Sequence, residues 1–134
     1  MSTIFGAEQL DAIQAILADD LIDVGVHSAL LIDMAGNIIA TLDNGASCHD
    51  IYALAALSAG NFGAVSSMAK ILGEDSFTLL FHKGEKEHIY FSRVNEDFLL
   101  VTIFGNTLSL GYLRLKVTQT LDKLSEILGS GGLV

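Results

Sequence analysis

The sequence predicts an α+β fold (α/β in the broad sense): a five-stranded antiparallel sheet with two helices on one face and one on the other, in the order α-β-β-α-β-β-β-α. Three observations predict it. Short apolar segments come in a pair and then a trio, joined by tight turns that contain glycine or asparagine. Three longer segments carry apolar residues at steps of three and four. The segments 28–33 and 98–104 are apolar on both alternating faces, so each needs cover on both sides of the sheet.

The first helix is expected over 7–24, with Leu10, Ile13, Leu17, Leu21 and Val24 on one stripe. Glu8 and Asp11 suit the positive end of its dipole, whereas Asp19, Asp20 and Asp23 do not suit the negative end. Either the helix frays there or those acids act outside it. Strands follow at 27–33 and 37–42, joined through Met34-Ala35-Gly36, where Gly36 is free to take positive φ. Ser47 or Asp50 is expected to cap the central helix, which runs to Leu72 and stops at Gly73. A second hairpin pairs 76–83 with 86–92 across Gly84-Glu85, and 98–104 is the most apolar strand. The last helix spans 107–128, capped by Thr107 or Ser109. Residues 1–128 form one domain, and the Gly-rich segment 129–134 is expected to be a flexible tail.

The central helix is apolar or small on nearly its whole circumference. One stripe, with Ile51, Leu54, Ala55, Ser58 and Phe62, can cover a sheet. A second, with Ala53, Leu57, Gly60, Ala64, Met68 and Ile71, lies opposite and needs cover of its own. A second copy of the chain is the natural supplier; the alternative is cover from elsewhere in the same chain. Ala53, Ala56, Gly60 and Gly63 would let two helix backbones approach closely.

With 134 residues and 51% apolar composition, the chain can build a real core. The net charge of -9 argues against a nucleic-acid surface and against an anionic membrane. The single cysteine, Cys48, excludes an internal disulfide framework and suits a reducing compartment. No basic-then-apolar leader and no uninterrupted apolar run of membrane-spanning length is visible, so a cytoplasmic address is expected.

Chemistry is sparse. His27, Cys48, His49, His82 and His88 are the candidate ligands or bases, but Cys48-His49 is not followed by a second zinc-type pair, and no metal site is expected. His82 and His88 flank a hairpin and are expected either to face solvent or to sit opposite each other as a pH-sensitive pair. The acids 19, 20 and 23 show no partner pattern. No catalytic triad announces itself, no phosphate-binding glycine loop is present, and no cofactor or small-molecule substrate is expected.

Several stretches together resemble one family. Leu30-Leu31-Ile32-Asp33-x-x-Gly36-x-Ile38-Ile39-Ala40 resembles the first hairpin of the roadblock family of dynein light chains and its bacterial relatives. Leu54-Ala55-Ala56-Leu57-x-Ala59-Gly60-x-Phe62 resembles the family's central helix. Leu72-Gly73-Glu74 with Phe77-x-x-Leu80-Phe81-His82-x-Gly84 resembles the exit from that helix and the third strand. Thr107-x-Ser109-Leu110-Gly111-x-x-Arg114-Leu115 resembles the start of the final helix. The set covers about residues 8–128 and is most similar to the bacterial MglB-like branch.

The resemblance implies a non-enzymatic homodimer with a continuous sheet across two subunits, joined at strand 76–83 beside paired central helices. It implies an interface of Ala53, Ala56, Leu57, Gly60, Ala64, Met68, Ile71, Phe77, Leu79 and Phe81. It also implies binding of a small Ras-like GTPase of the MglA type and modulation of its nucleotide cycle, as a GTPase-activating or related regulator in cell polarity. The contact candidates carried over are Tyr52, Ala59, Gly63, Ser66, Lys70, Lys83 and Lys86. The central helix has no arginine, so no finger residue is expected there. A structural scaffold or adaptor subunit without effect on nucleotide turnover is the alternative.

Overall fold

The computed structural model describes residues 5–46, 48–77 and 80–131. Its elements are α1 (Ala7–Asp20), a 3₁₀ turn (Ile22–Val24), β1 (Ser28–Asp33), β2 (Ile38–Asp43), α2 (Ile51–Ile71), β3 (Leu80–Lys83), β4 (Glu87–Arg93), β5 (Phe98–Gly105) and α3 (Leu110–Gly131). The five strands form one antiparallel sheet in the order β2-β1-β5-β4-β3. The predicted element order and layering hold.

β1 and β5 sit at the centre, paired from Ser28–Ile103 to Asp33–Phe98. Every residue of β5 is buried, as a strand covered on both faces requires. On one face α1 and α3 supply Ile13, Leu17, Leu113, Val117, Leu124 and Leu128, which pack on Ala29, Leu31, Leu100 and Phe104. On the other face α2 packs on Leu30, Ile32, Leu99 and Val101. Side-chain parity along each strand separates these two cores.

The helix ends follow local chemistry. The Gln9 side chain accepts a hydrogen bond from the Gly6 N–H at the start of α1 (2.9 Å). α1 stops at Asp20, short of the expected residue 24, and the chain tightens into the 3₁₀ turn before Gly25 at φ +114°. Asp20 does have a partner: Lys123 Nζ of α3 lies 2.9 Å from Oδ2 and 3.0 Å from Oδ1. Asp50 caps α2 by accepting from the Ala53 N–H (3.1 Å); Ser47, the other expected cap, lies outside the described residues. Ser109 caps α3, accepting from the Tyr112 N–H (3.1 Å). α3 continues to Gly131, so the segment expected as a tail from 129 shares three residues with the helix, and 132–134 lie outside the described residues.

The β1–β2 hairpin shows why Gly36 is glycine. The Asp33 carboxylate accepts from the Ala35 and Asn37 N–H groups (3.0 and 2.9 Å) and from the Asn37 amide (2.9 Å). Partial burial opposes ionisation of Asp33, but these bonds, with a further one from the Gly36 backbone, outweigh it and hold its carboxyl below the usual range. Gly36 has φ +91°, and a Cβ there would lie 3.0 Å from the Ala56 Cα of α2. A Gly36→Ala chain is therefore expected to lose about 1–2 kcal/mol from the left-handed backbone alone, with the clash adding to it. Denaturant titration checks this; unchanged stability, or the gain of about 0.4–1 kcal/mol that a compatible Gly→Ala change brings, would contradict the geometry.

By length and composition α2 could cross a membrane, the only helix among the described residues that could. Its sequence is broken by Ser58, Asn61, Ser66 and Ser67, and its sheet-facing side buries Ala55, Ser58, Ala59 and Ala69. The helix thus belongs to the fold: Ile51, Leu54 and Phe62 also pack toward the sheet, while Leu57, Met68 and Ile71 stay outside.

Candidate functional site: the outer face of helix α2 and the β3 edge

α2 leaves Tyr52, Leu57, Met68, Ile71 and Leu72 exposed, at 77, 71, 51, 84 and 69% of their surface. Leu57, Met68, Ile71 and Leu72 form one row of large apolar side chains, the informative exception on a soluble surface, while Tyr52 lies on the opposite flank. The helical repeat locates the row. Asn61 reaches toward β3, its Nδ2 3.2 Å from His82 Nε2. At 100° per residue, Leu57, Ala64, Met68 and Leu72 share Asn61's side of the helix. The exposed apolar flank therefore faces the side where the sheet ends at β3, a short edge strand of four residues. The helix crest between the flanks is small: Ala53, Ala56 and Gly60 line it, with Gly63 and Ala64 at its borders, and a Cβ built on Gly60 or Gly63 meets nothing within 4 Å.

Phe77 and Phe81 sit at this edge; residues 76 and 77 lie outside the strand, which is described from Leu80. Phe77 is 41% exposed just before the strand. Phe81 is half-buried and turns to the α1/α3 side, its ring stacked on Phe104 at 5.9 Å. Leu79 lies outside the described residues. Of the expected partner contacts, Tyr52, Gly63, Ser66 and Lys70 share the flank of α2 away from β3, whereas Lys83 and Lys86 are exposed on the β3–β4 hairpin across the helix. Ala59 is different: it is 8% exposed and packs with Ala55 on the sheet.

A polar cluster that the sequence did not reveal lies near the start of α2. Glu87, first residue of β4, takes a hydrogen bond on each carboxylate oxygen: Oε2 from His27 Nδ1 (2.8 Å) and Oε1 from His49 Nε2 (2.9 Å). A carboxylate only accepts, so those two ring nitrogens carry the protons. His49 Nδ1 then faces the Ser28 hydroxyl at 3.4 Å. Gly105 makes room for this arrangement, since a Cβ there would lie 2.8 Å from the His27 ring. The bonds from His27 and then His49 outweigh the modest burial of Glu87 and lower its pKa.

Ser28, His49 and Glu87 bring together the residue types of a hydrolytic triad, but Ser28 is 1% exposed within β1 and closed to a substrate. Among the described residues no group of three His, Cys, Asp or Glu side chains could hold a metal ion. The cluster instead ties three distant segments together. A depressed carboxylate pKa stabilises the fold above the ordinary value of 4.5, and that contribution is lost as pH falls through the lower folded value. Glu87→Gln is therefore expected to cost under about 1 kcal/mol near neutral pH, because the pair is partly solvent-screened. The difference from the parent should vanish below the ordinary carboxylate range. A difference that grows on acidification, measured by urea unfolding across that range, would overturn this sign.

The alternative pairing of His82 and His88 does not occur. His82 is opposite Ile89 and His88 is opposite Lys83, so the two rings project from opposite faces of the sheet. His82 is exposed and lies edge-on to Phe91. His88 is not a solvent-facing strand residue. It is 6% exposed, accepts from the Gly84 N–H (3.1 Å), donates through Nε2 to Asn106 Oδ1 (2.7 Å) and lies against Phe104.

A sheet with one long helix on one face and two on the other, and an apolar helix flank beside an edge strand, defines the class. The Roadblock/LC7 domain family matches residues 17–104, and this chain belongs to that family. It is similar in structure to the gliding protein MglB of Thermus thermophilus, at 31% identity over 93% of both chains with a TM-score of 0.83. It is also similar to Myxococcus xanthus MglB (32% identity, 95% of both chains, TM-score 0.82) and to an MglB in a tetrameric arrangement (30%, 96% of both chains, 0.87). Comparison with curated proteins gives no match.

Proposed function

We propose that this chain is a non-enzymatic, cytoplasmic regulator that forms a homodimer and binds a small Ras-like GTPase, modulating its nucleotide cycle. The observation that carries the proposal is the row of exposed apolar side chains on α2 beside the free edge of β3. A face of that kind favours a protein partner over water. Its similarity to MglB over nearly the whole chain supports the regulatory role, as does the kinship with GTPase regulators that the sequence motifs imply.

In the dimer, the β3 edges pair and the two α2 helices lie side by side, with the small residues Ala53, Ala56 and Gly60 allowing close approach. The GTPase docks on this platform, near Tyr52, Gly63, Ser66 and Lys70 and the hairpin residues Lys83 and Lys86. Ala59 is left out of this surface because it is buried. α2 supplies no arginine, so any stimulation of hydrolysis acts by reorganising the GTPase's own residues rather than by an inserted finger.

The test is a pull-down of an MglA-type GTPase loaded in turn with GDP and a GTP analogue, followed by hydrolysis and exchange assays. State-dependent capture with a changed rate is expected. Capture with both rates unchanged at saturation would favour the scaffold reading, and no capture in either state would remove the proposal.

A further inference from the structure

The hydrogen bonds around His88 form a chain with one direction. Asn106 donates through Nδ2 to the Glu85 carbonyl (3.1 Å), which turns its Oδ1 toward His88. The ring must then donate through Nε2 (2.7 Å) and keep Nδ1 bare to accept from the Gly84 N–H (3.1 Å). Both ring nitrogens are committed, and only the neutral ring fits. We infer that His88 is an acid-sensitive latch: the neutral ring clasps the β3–β4 hairpin to the end of β5, and a proton on Nδ1 releases it.

A protonated ring donates from both nitrogens, so its Nδ1–H would point at the Gly84 N–H. That amide is already held to the Glu87 carbonyl (3.1 Å), in a turn so tight that a Cβ on residue 84 would strike the same oxygen. The ring is 6% exposed between Phe81 (6.0 Å) and Phe104 (5.1 Å), which leaves little water to take the displaced bond.

The charges nearby offer no counter-ion. Lys83 stands opposite His88 on β3, and Lys86 lies in the turn. Glu85 is exposed there, and Glu87 turns to the other face, held by His27 and His49. His82 also lies on that other face, while Tyr90 follows His88 on the same one. In the layer of α1 and α3 the charged groups at this end of the sheet are Asp23, Arg114 and Lys116. Among the described residues none of these side chains bonds to the ring.

The open hairpin has room for a second ring proton and the closed one has not, so acid favours opening. Lys83 and Lys86, proposed above as partner contacts, ride on this hairpin, and acid would withdraw them together. The latch itself lies within one subunit and does not rest on that reading.

Nitrogen-resolved NMR of the whole chain tests it. At pH 7.5 the His88 ring should carry its proton on Nε2 alone. Amide exchange at 80–90, corrected for its intrinsic pH dependence and followed at one protein concentration, should lose about tenfold or more of its protection by pH 5.5. Leu30 and Leu100 should keep theirs. His88→Gln, which cannot take up a proton, should lose this pH dependence whatever its own protection. Glu87→Gln, which dissolves the neighbouring histidine–carboxylate cluster, should retain it. A proton on Nδ1 at neutral pH, a His88 that takes up its proton while the hairpin stays protected, or the same pH dependence in His88→Gln would overturn the latch. The first two readouts need no variant, and all of them use the chain alone, so they answer whether or not a GTPase binds.

Discussion

A Leu57→Glu chain is expected to sediment as a folded monomer at concentrations where the parent is a dimer. Leu57 is 71% exposed in the isolated subunit and contributes nothing to either core, and glutamate has nearly the helix propensity of leucine. The subunit should therefore keep its stability within about 0.5 kcal/mol. In the proposed dimer the same position would face the partner helix, and an unpaired carboxylate there would have to be desolvated. Even about 3 kcal/mol of that cost raises the dissociation constant by more than about a hundredfold. Gly60→Glu should behave alike, because its Cβ enters open space in one subunit and would meet the partner only in the proposed pair. Sedimentation equilibrium over a concentration series, with urea unfolding alongside, measures both quantities. A parent-like dissociation constant for Leu57→Glu would mean that this flank of α2 is not the interface. GTPase capture should fall with the dimer if both helices form the platform.

Periodicity was sufficient for what depends on local order. The surplus of apolar residues on α2 is visible in sequence because a helix of known pitch has a limited sheet-facing arc, and Leu57, Met68 and Ile71 fall outside it. The caps Asp50 and Ser109 and the positive φ at Gly36 are equally local. Ala59 was legible too: it follows Ala55 by one turn and shares its buried side. The polar cluster was not legible. His27, His49 and Glu87 come from three segments that only the sheet order brings together, and no spacing rule links them. The fate of His88 likewise depended on register. Strand alternation groups it with Tyr90 and Ser92, but only the pairing of His88 with Phe104 shows that its side of the hairpin is covered. Residues 76 and 77, which alternation placed in β3, lie outside any strand, and the described part of β3 pairs with β4 from Leu80.

Replacing Phe104 with alanine should have the largest effect on the subunit itself. The ring is 1% exposed on β5 and meets Phe81 of β3 at 5.9 Å and His88 of β4 at 5.1 Å. Phe→Ala at such a site costs about 3–5 kcal/mol, a large share of the roughly 5–15 kcal/mol that holds a domain of this kind together. The loss should not be spread evenly. α1 packs on β2 at the far side of the sheet, whereas β3, described over Leu80–Lys83, is attached through β4 at the opposite edge. With the ring gone, Phe81 and His88 lose their common support, and the bonds from His88 to Gly84 and Asn106 lose the packing that orients them. The β3–β4 hairpin is therefore expected to open before the rest of the fold. Amide exchange should rise first at 80–90, while β1 keeps its protection. Because β3 is also the edge proposed to join the two subunits, dimer affinity should fall in the same variant. A loss under about 1 kcal/mol in urea, or exchange rising uniformly across the sheet, would show that this aromatic group does not hold the edge in place. The parent's hairpin protection should then rise with subunit concentration, since each additional dimer shields an edge that a lone subunit leaves to water.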